Sequence, residues 1–472
     1  IVIGASVAGL AAAIALKSSG HNVVVLEKDS ELGGTRTGPN GCARVPPNGS
    51  KILLDWDLEA AARAKATLMP GFWVNKYGPE ETPGSNTLGL HRLSEELLFE
   101  TQARGDYMIF RHQSLLRILY DKLQAQSSSK AKGKTNYGPH VSVLFKAEVV
   151  DVDCASCEVT LQSGEVYKGD AIIGADGAFG IVRQILMDEE DAEPDSATGL
   201  ALYSANVPKA LVVQNGLADI FYDAIGTSIW MGSNRAAMVV PAGEAEDLTL
   251  WVYTPDSSQD GTWINEAEMP ITDVLGPCDA RIRKLAGLAG PATCVQIKKP
   301  YELESWVSAS GRVLALGQAA HPSTPGAFHC YSASLEDGAF IGRIFSHTRD
   351  RARVPEFFNA FQEHREPRCA RINAADEMYV QVMTIPDGEM QARRDTGMRA
   401  NHAEGRSVMD GDLQDVHDDF SFVFGYDAMD DADEWWINWG RFRDASATSN
   451  GQDALVNVFN FASVSESVVG YT

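Results

Sequence analysis

Two features that would each indicate a particular class of protein are missing from this sequence. No apolar run reaches the ~20 residues that a membrane-spanning helix needs, and the apolar N-terminus has neither a basic leader nor a cleavage site. Basic residues are also scarce, because 40 Lys and Arg face 64 Asp and Glu for a net charge of −24. This balance argues against nucleic acid or membrane as a partner. We expect a monomer or homodimer that acts on a small molecule, without membrane insertion.

Cysteines are few, and their number and spacing do not indicate a set of disulfide bonds. The seven cysteines are an odd number spread along a long chain, which predicts reduced thiols in an intracellular, cytoplasmic protein. Cys154 and Cys157 form a CxxC, but a zinc site would need a second ligand pair at short spacing. We therefore predict no metal site, and interpret these two cysteines as part of a turn between strands.

The 472 residues are too many for one ordinary core and predict two or three domains. The chain begins with a strand–turn–helix–strand unit, shows period-two strands between 200 and 300, and is mainly helical after 355. The predicted fold class is α/β (α+β overall), with a Rossmann-like domain, an inserted antiparallel-sheet domain and a helical C-terminal tail. The predicted boundaries are 1–75, 105–185 and 295–350 for the first domain, 76–104 and 186–294 for the second, and 351–472 for the tail.

The sequence also predicts local structure at three places. Residues 67–106 look irregular, and Pro367 predicts the start of a helix or a kink. Trp435, Trp436 and Trp439 have helical spacing and are expected to pack into the core of the tail.

The stretch "GASVAG" fits the G-x-G-x-x-G pattern of a dinucleotide-binding turn, with Ser6 at the middle position. Gly4 permits the tight turn, the small Ser6 lets the backbone approach a pyrophosphate, and Gly9 allows the helix to pack closely. Glu27 closes the second strand, where a carboxylate can accept hydrogen bonds from ribose hydroxyls. The order of these elements predicts nucleotide binding, and the fingerprint alone fits either FAD or NAD.

Two further strand–turn–helix segments follow. "GDAIIGADGAFGIVR" delivers Asp176 into a turn, and "VLALGQAAHPSTPG" carries a buried strand to Gly317 and Gln318. The three turns together resemble those of the FAD-dependent aromatic hydroxylases of the para-hydroxybenzoate and salicylate hydroxylase type. "PGAFHCYSASLEDGAFIGRIFSH" is similar to a fungal, salicylate-hydroxylase-like branch. "RVPPNGSKILLDWDL" and "FRHQSLLRIL" resemble segments that pass the flavin and supply an arginine, here Arg111.

The resemblance implies FAD as cofactor, NADPH or NADH as a transient co-substrate, and O2. It implies a set of cofactor-binding positions: Gly4, Ser6, Gly9, Glu27, Lys28, Arg44, Arg111, Val149, Asp176, Gly317, Gln318 and Pro325. Three positions depart from the family pattern. Gln318 stands where the family has Asp, Gly180 replaces a serine, and Cys330 replaces a glycine.

The implied enzyme is a single-component FAD-dependent monooxygenase that hydroxylates a phenolic or benzoate-type ring through a flavin C4a-hydroperoxide. Oxidative decarboxylation is a variant within this family branch. One alternative is hydroxylation or epoxidation of a larger specialised metabolite such as an indole, polyketide or meroterpenoid. Another is a non-catalytic flavin-fold protein, motivated by Ser6 and Gln318.

The substrate site is expected beneath the sheet of the second domain. Candidate substrate residues are Tyr203, Trp230, Arg235 and Trp251, and candidate catalytic residues are His329 and Tyr222. Each aromatic is equally an ordinary core residue if its strand turns it away from the cavity. His329 could instead cap a helix, and Arg44 or Arg235 could either neutralise a benzoate or form surface ion pairs.

Overall fold

The computed structural model describes residues 1–33, 42–82, 84–93, 104–128, 139–189, 195–217, 227–243, 247–256, 265–266, 270–410 and 422–442. The strands are β1 Val2–Ile3, β2 Val23–Leu26, β3 Cys42–Val45, β4 Ala66–Leu68, β5 Gly71–Lys76, β6 Thr87–Arg92, β7 Met108–Arg111, β8 Val141–Leu144, β9 Val149–Asp153, β10 Glu158–Leu161, β11 Val166–Lys168, β12 Ile172–Gly174, β13 Ser196–Val207, β14 Ser228–Gly232, β15 Arg235–Ala242, β16 Asp247–Pro255, β17 Asn265–Glu266, β18 Thr293–Lys299 and β19 Val313–Ala315. The helices are α1 Val7–Ser18, α2 Pro47–Asp55, α3 Glu59–Lys65, α4 His112–Ser128, α5 Ile181–Glu189, α6 Lys209–Gln214, α7 Ile271–Val274, α8 Ala280–Leu288, α9 Cys330–Ile344, α10 Val354–Met383, α11 Glu389–Ala403 and α12 Ala428–Trp435.

A five-stranded sheet in the order β19-β12-β1-β2-β8 forms the nucleotide-binding half. All of its strand pairs are parallel. Its strands are short and apolar because both faces of such a sheet are covered by helices. The predicted fold class, with a Rossmann-like parallel sheet, is confirmed.

Helices α1 and α9 pack unusually closely beside this sheet. A Cβ on Gly338 would lie 2.5 Å from the Cβ of Ala11, and one on Gly342 would lie 2.2 Å from the Cβ of Ala15. Only small residues permit such an approach, which explains the alanine-rich sequence of α1. The contact brings the N-termini of the two helices to the same end of the molecule.

An eight-stranded sheet in the order β17-β18-β13-β16-β15-β14-β5-β6 forms the second half. Its pairs are antiparallel as expected, except that β14 and β5 run parallel. Strands β5 and β6 come from the segment that we expected to be irregular, so that expectation is wrong. This sheet includes residues 71–76 and 293–299, whereas the predicted boundaries fall at 75 and 295.

Two small three-stranded sheets complete the strands, in the orders β11-β10-β9 and β3-β7-β4. The second lies between two cores, because Ala43 and Phe110 pack into the core of the nucleotide-binding half while Cys42 and Ile109 pack into a core that includes residues of the eight-stranded sheet. Cys154 and Cys157 lie in the turn between β9 and β10, as predicted, and both are free thiols.

Helix α10 runs through Pro367 as one continuous helix, so the expected helix start at this proline is wrong, while the expected kink stays a prediction. The proline is exposed, and the neighbouring Arg365 and Arg368 hold the helix to α9 on its buried side. Trp435 is buried as expected, but Trp439 is 68% exposed, so the expectation that all three tryptophans pack is wrong for Trp439. None of the described helices combines the length and apolar character needed to cross a bilayer.

Candidate functional site

The first turn is built by backbone and small side chains. Gly4 has a φ of +98° and donates its N–H to the carbonyl of Leu26 at 2.8 Å. Ser6 caps α1 by accepting from the Gly9 N–H at 3.2 Å, and its own hydroxyl donates to the carbonyl of Ala175 at 2.8 Å. A Cβ on Gly9 would lie 2.1 Å from the Gly4 oxygen. Gly4 and Gly9 therefore meet steric requirements of the turn, and Ser6 supplies hydrogen bonds that hold it.

Glu27 lies at the end of β2, beside this turn. Its carboxylate accepts hydrogen bonds from the N–H of Ala5 at 2.7 Å and of Asp29 at 3.0 Å. These two bonds fix the position of the carboxylate at the edge of the sheet where nucleotides bind in this architecture.

The second turn follows β12 and carries Asp176. One carboxylate oxygen of Asp176 accepts from the N–H of Val182 at 3.2 Å, at the start of α5. The other oxygen is buried and has no hydrogen-bond partner among the described residues. Burial raises the pKa of Asp176 to about 6, although the helix amides and Lys28 oppose this shift. A Cβ on Gly180 would lie 2.0 Å from the Asp176 carboxyl carbon, so a side chain at position 180 would require the Asp176 carboxyl group to move.

The third turn follows β19 and shows why a glutamine is accommodated. The Gln318 side chain accepts from the N–H of Ser323 at 2.9 Å and donates to its hydroxyl at 3.1 Å. A side-chain amide supplies both the donor and the acceptor, whereas an ionised carboxylate at this position would only accept. Gly317, at a φ of +63°, lies so close to α1 that a Cβ would be 2.6 Å from the Cβ of Ala8.

These three turns meet at one cavity of about 300 Å³ beneath the eight-stranded sheet. Its lining residues are Ser6, Val7, Ala8, Cys42, His112, Ala175, Gly177, Leu202, Ser204, Trp251, Val295, Gln318, Ser323, Thr324, Pro325, Gly326, Ala327, Cys330, Tyr331 and Ser334. Four of the predicted site residues are among them: Ser6, Trp251, Gln318 and Pro325. The cavity thus has one wall made by the nucleotide-binding turns and another made by the sheet.

The predicted arginines lie elsewhere. Arg44 is 1% exposed and donates to the carbonyls of Gly326 and Ala327, with the Ala327 bond at 2.7 Å. Arg111 forms an ion pair with Asp247 at 2.9 Å. Both guanidinium groups are engaged in these contacts, and neither arginine lines the cavity.

The remaining cofactor candidates are separate from the cavity wall. Val149 is a half-buried residue of the β11-β10-β9 sheet, and Lys28 is exposed near enough to Asp176 to lower its pKa. Their assignment stays a prediction.

The substrate candidates are divided by the alternation of the strands. Trp251 lines the cavity and donates from its indole nitrogen to the Ser204 hydroxyl at 2.8 Å. Tyr203 and Trp230 instead pack into the core on the other side of the sheet. Arg235 donates to the carbonyl of Val274 at 2.5 Å, toward α7.

The two catalytic candidates have different outcomes. His329 is 4% exposed, stands at the N-terminus of α9, and pairs through Nδ1 with Asp376 at 2.9 Å. It is one residue from the cavity-lining Cys330 but does not line the cavity itself. Tyr222 lies outside the described residues.

Sequence reasoning missed His112, the neighbour of the predicted Arg111. His112 lines the cavity, and its ring centroid is 5.6 Å from that of Tyr331. Its Nδ1 is buried without a hydrogen-bond partner among the described residues, and burial lowers the pKa of the ring, which favours the neutral form. The available signal was position, since His112 directly follows the predicted Arg111 at the end of strand β7.

The thiols of Cys42 and Cys330 also line the cavity, which the sequence did not predict. Burial raises the pKa of Cys42 to about 11 and that of Cys330 to about 12, so both are neutral at physiological pH. Together with Leu202 and Val295 they make the wall largely apolar. Such a wall favours a flat, uncharged ring over an ion.

A residue cluster with ligand-like geometry lies behind the third turn. His321, Asp337 and Cys369 lie close enough for a shared metal ion, and all three are buried. Arg365, however, already donates to Asp337 at 2.8 Å and contacts the Cys369 sulfur at 3.7 Å. We interpret the cluster as an ion network that supports the turn.

Comparison with known proteins agrees with this geometry. Residues 2–52 match the family model of an NAD(P)-binding Rossmann-like domain. An FAD-dependent monooxygenase of Nectria is 25% identical over 84% of this chain and 87% of its own length. A salicylate hydroxylase of Pseudomonas putida is 24% identical over 84% of this chain and 85% of its own length.

A solved structure, that of CtdE in complex with FAD and a substrate, has the same fold. It aligns with a TM-score of 0.71 at 16% identity, over 94% of this chain and 98% of its own. The predicted resemblance to the FAD-dependent hydroxylases is confirmed by these matches.

Proposed function

We propose that this FAD-dependent monooxygenase hydroxylates a small phenolic ring, with NADH or NADPH as electron donor and O2 as the oxygen source. The observation that carries the proposal is the single cavity shared by the three nucleotide-binding turns and by Trp251 of the sheet. FAD held by these turns would occupy part of the volume of about 300 Å³, and the space left beside it supports a compact ring over a larger metabolite.

The described residues fit FAD. The N-terminal end of α1 lines the cavity through Ser6, where the helix dipole favours phosphate. Glu27 is placed to hold the ribose, and the unpartnered oxygen of Asp176 is available to a hydroxyl donor of the cofactor. Gln318 and Pro325 would face the cofactor from the third turn. When bound, FAD supplies the redox chemistry that activates O2.

The chain itself would contribute placement and exclusion of water. Leu202, Val295 and Trp251 form an apolar wall beneath which a ring can stack. The neutral His112 and the Ser204 hydroxyl are polar groups at this wall, suited to hydrogen bonding with the substrate oxygen. The protein would thereby hold the ring in a reactive geometry.

The positions of the arginines support a phenol without a carboxylate. Arg44, Arg111 and Arg235 are engaged by backbone carbonyls or by Asp247, so the geometry gives them no role in neutralising a benzoate. Burying a carboxylate without a paired cation costs several kcal/mol. Oxidative decarboxylation, which requires a carboxylate, is therefore the less favoured variant.

The test is substrate-dependent oxidation of NADH and NADPH by the FAD-loaded protein across matched phenols with and without a carboxylate. We expect hydroxylated product, identified by mass, chiefly from the neutral phenols. Release of labelled carbon dioxide from a carboxyl-labelled hydroxybenzoate would instead favour the decarboxylating variant. Protein that retains no flavin absorbance after FAD is added and unbound FAD is removed would support the non-catalytic alternative.

A further inference from the structure

The segment Gly326–His329, here called the cavity loop, joins the third turn to helix α9. Gly326 and Ala327 line the cavity, and Cys330 follows directly as the first residue of α9. The position of the cavity loop therefore sets the shape of the wall that faces a bound ring.

Two buried residues of opposite charge hold the cavity loop by its backbone. The guanidinium of Arg44 donates to the carbonyls of Gly326 and Ala327. The carboxylate of Asp376 accepts from the N–H of Phe328 at 3.0 Å and of His329 at 3.2 Å. It also binds the His329 ring at 2.9 Å. The carbonyl groups of the cavity loop thus face the cation of Arg44, and the amide groups of the loop face the anion of Asp376.

Burial makes these contacts strong. Arg44 and Asp376 are each 1% exposed. An ion at such a site loses its hydration and depends on fixed dipoles and hydrogen bonds for compensation. Hydrogen bonds to charged groups are also shorter and stronger than neutral ones. Displacing the loop would therefore leave two buried charges without their partners.

Arg44 also fixes the distance between the cavity loop and the sheet. Its guanidinium lies 3.9 Å from the ring centroid of Phe328 in the loop and 4.4 Å from that of Trp251 on β16. Trp251 is a cavity residue, so the stacked arginine, which does not itself line the cavity, joins the cavity loop to the strand that carries Trp251.

We propose that Arg44 and Asp376 are positioning residues that hold the cavity loop against β16 and so fix where a substrate ring lies relative to FAD. The inference rests on the proposed function, because it assigns a role in hydroxylation. Each NAD(P)H delivers two electrons, which end either in water beside a hydroxylated ring or in hydrogen peroxide. A misplaced ring shifts this partition toward peroxide, since small displacements strongly slow a reaction that depends on orientation.

The experiment compares Asp376→Ala and Arg44→Met with wild type, and uses Asp395→Ala as the matched control. Asp395 is also a buried carboxylate, 2% exposed, but it lies on α11 and pairs with Arg394. We expect the ratio of hydroxylated product to NAD(P)H oxidised to fall about tenfold in the first two variants, with peroxide accounting for the difference. The control should lose stability but keep its product ratio.

The conservative variants Asp376→Asn and Arg44→Lys should recover part of the product ratio. The asparagine keeps one acceptor oxygen, and the lysine keeps the charge without the planar stacking. If Asp376→Ala or Arg44→Met does not fold, these two conservative variants test the inference in its place. Product ratios that fall equally in Asp376→Ala and Asp395→Ala would overturn the inference.

A second measurement does not depend on turnover. Amide hydrogen exchange of Phe328 and His329 in the FAD-loaded protein should accelerate about tenfold in Asp376→Ala and stay unchanged in Asp395→Ala. If wild type hydroxylates no phenol, the proposed function fails while this exchange result still decides whether Asp376 holds the loop. Unchanged exchange in Asp376→Ala would refute the positioning role.

Discussion

The first and third turns line the same cavity but are held by different kinds of interaction. The first depends on the absence of side-chain volume, since a Cβ on Gly9 would overlap the Gly4 carbonyl. The third depends on buried charge, because the Gly317 N–H donates to the Asp337 carboxylate at 3.0 Å. Asp337 is in turn bound by Arg365 at 2.8 Å and by His321 at 2.7 Å.

The charged support of the third turn extends through a network between α9 and α10. Arg365 also pairs with Glu336 at 2.8 Å. Burial alone would raise the pKa of Glu336, but Arg368 and Arg365 lower it to about 2. Burial would likewise lower the pKa of His321, yet the neighbouring Cys369 and Asp337 raise it to about 10. The comparison teaches that one cavity can be shaped by local sterics on one side and by distant ion pairs on the other.

The largest expected effect comes from breaking the ion network. Arg365→Leu leaves Glu336 and Asp337 buried without one of their cations, and should lower the free energy of unfolding by about 3–5 kcal/mol. Urea unfolding measures the change. Arg393→Leu, at an exposed position of α11, is the control and should change stability by less than about 0.5 kcal/mol. Equal midpoints for the two variants would show that the network does not support the third turn.

The second prediction tests whether the first turn depends on close packing at Gly9. Gly9→Ala places a Cβ against the Gly4 carbonyl and should destabilise the protein by about 1–3 kcal/mol, with a loss of FAD binding. Gly287→Ala is the matched control, because a Cβ there meets nothing within 4 Å and Gly287 is exposed on α8. That control should be stabilising by about 0.5–1 kcal/mol. Thermal unfolding and FAD titration of both variants decide the point.

This difference between the turns also sets what the sequence could predict. Gly4 and Gly9 act within a few residues, so their spacing alone identifies the first turn. Arg365 lies 28 residues after Asp337, and Asp376 lies 47 residues after His329, so no local pattern indicates either pairing. Their partners become visible only when α10 is packed on α9.

The alternation along the strands separates the predicted substrate residues that line the cavity from those that do not. Ser204 of β13 lies opposite Trp251 of β16, and both face the cavity, whereas the adjacent Tyr203 faces the other core. Period-two alternation gives two possible faces, and the sequence alone does not say which one meets the nucleotide-binding half.

The second turn combines a local helix cap with a buried charge and allows a pH test. Asp176 has a folded pKa of about 6, above its ordinary value of 3.8, so the folded protein binds this proton more tightly than the unfolded chain. The carboxylate therefore destabilises the fold progressively as the pH rises above 3.8, and the full effect is reached above about 6. Asp176→Asn should stabilise the FAD-free protein at pH 8 by about 1–2 kcal/mol, less at pH 5, while weakening FAD binding.

Thermal unfolding of both proteins without FAD at these two pH values measures this effect. A gain that is equal at pH 5 and pH 8 would exclude ionisation of Asp176 as its cause. A gain at pH 8 with undiminished FAD affinity would show that the unpartnered carboxylate oxygen does not contact the cofactor.

The smallest expected effect concerns Gln318, whose side chain supports the third turn locally within a region otherwise held by distant charges. Gln318→Ala removes two hydrogen bonds to Ser323, and because the turn is half-buried we expect a loss of about 1 kcal/mol. Gln318→Glu keeps the acceptor for the Ser323 N–H but loses the donor to its hydroxyl, so it should lie between alanine and wild type. If glutamate proves worse than alanine in stability, the dominant factor at this position is burial of charge beside the cavity, and the amide is there to remain neutral.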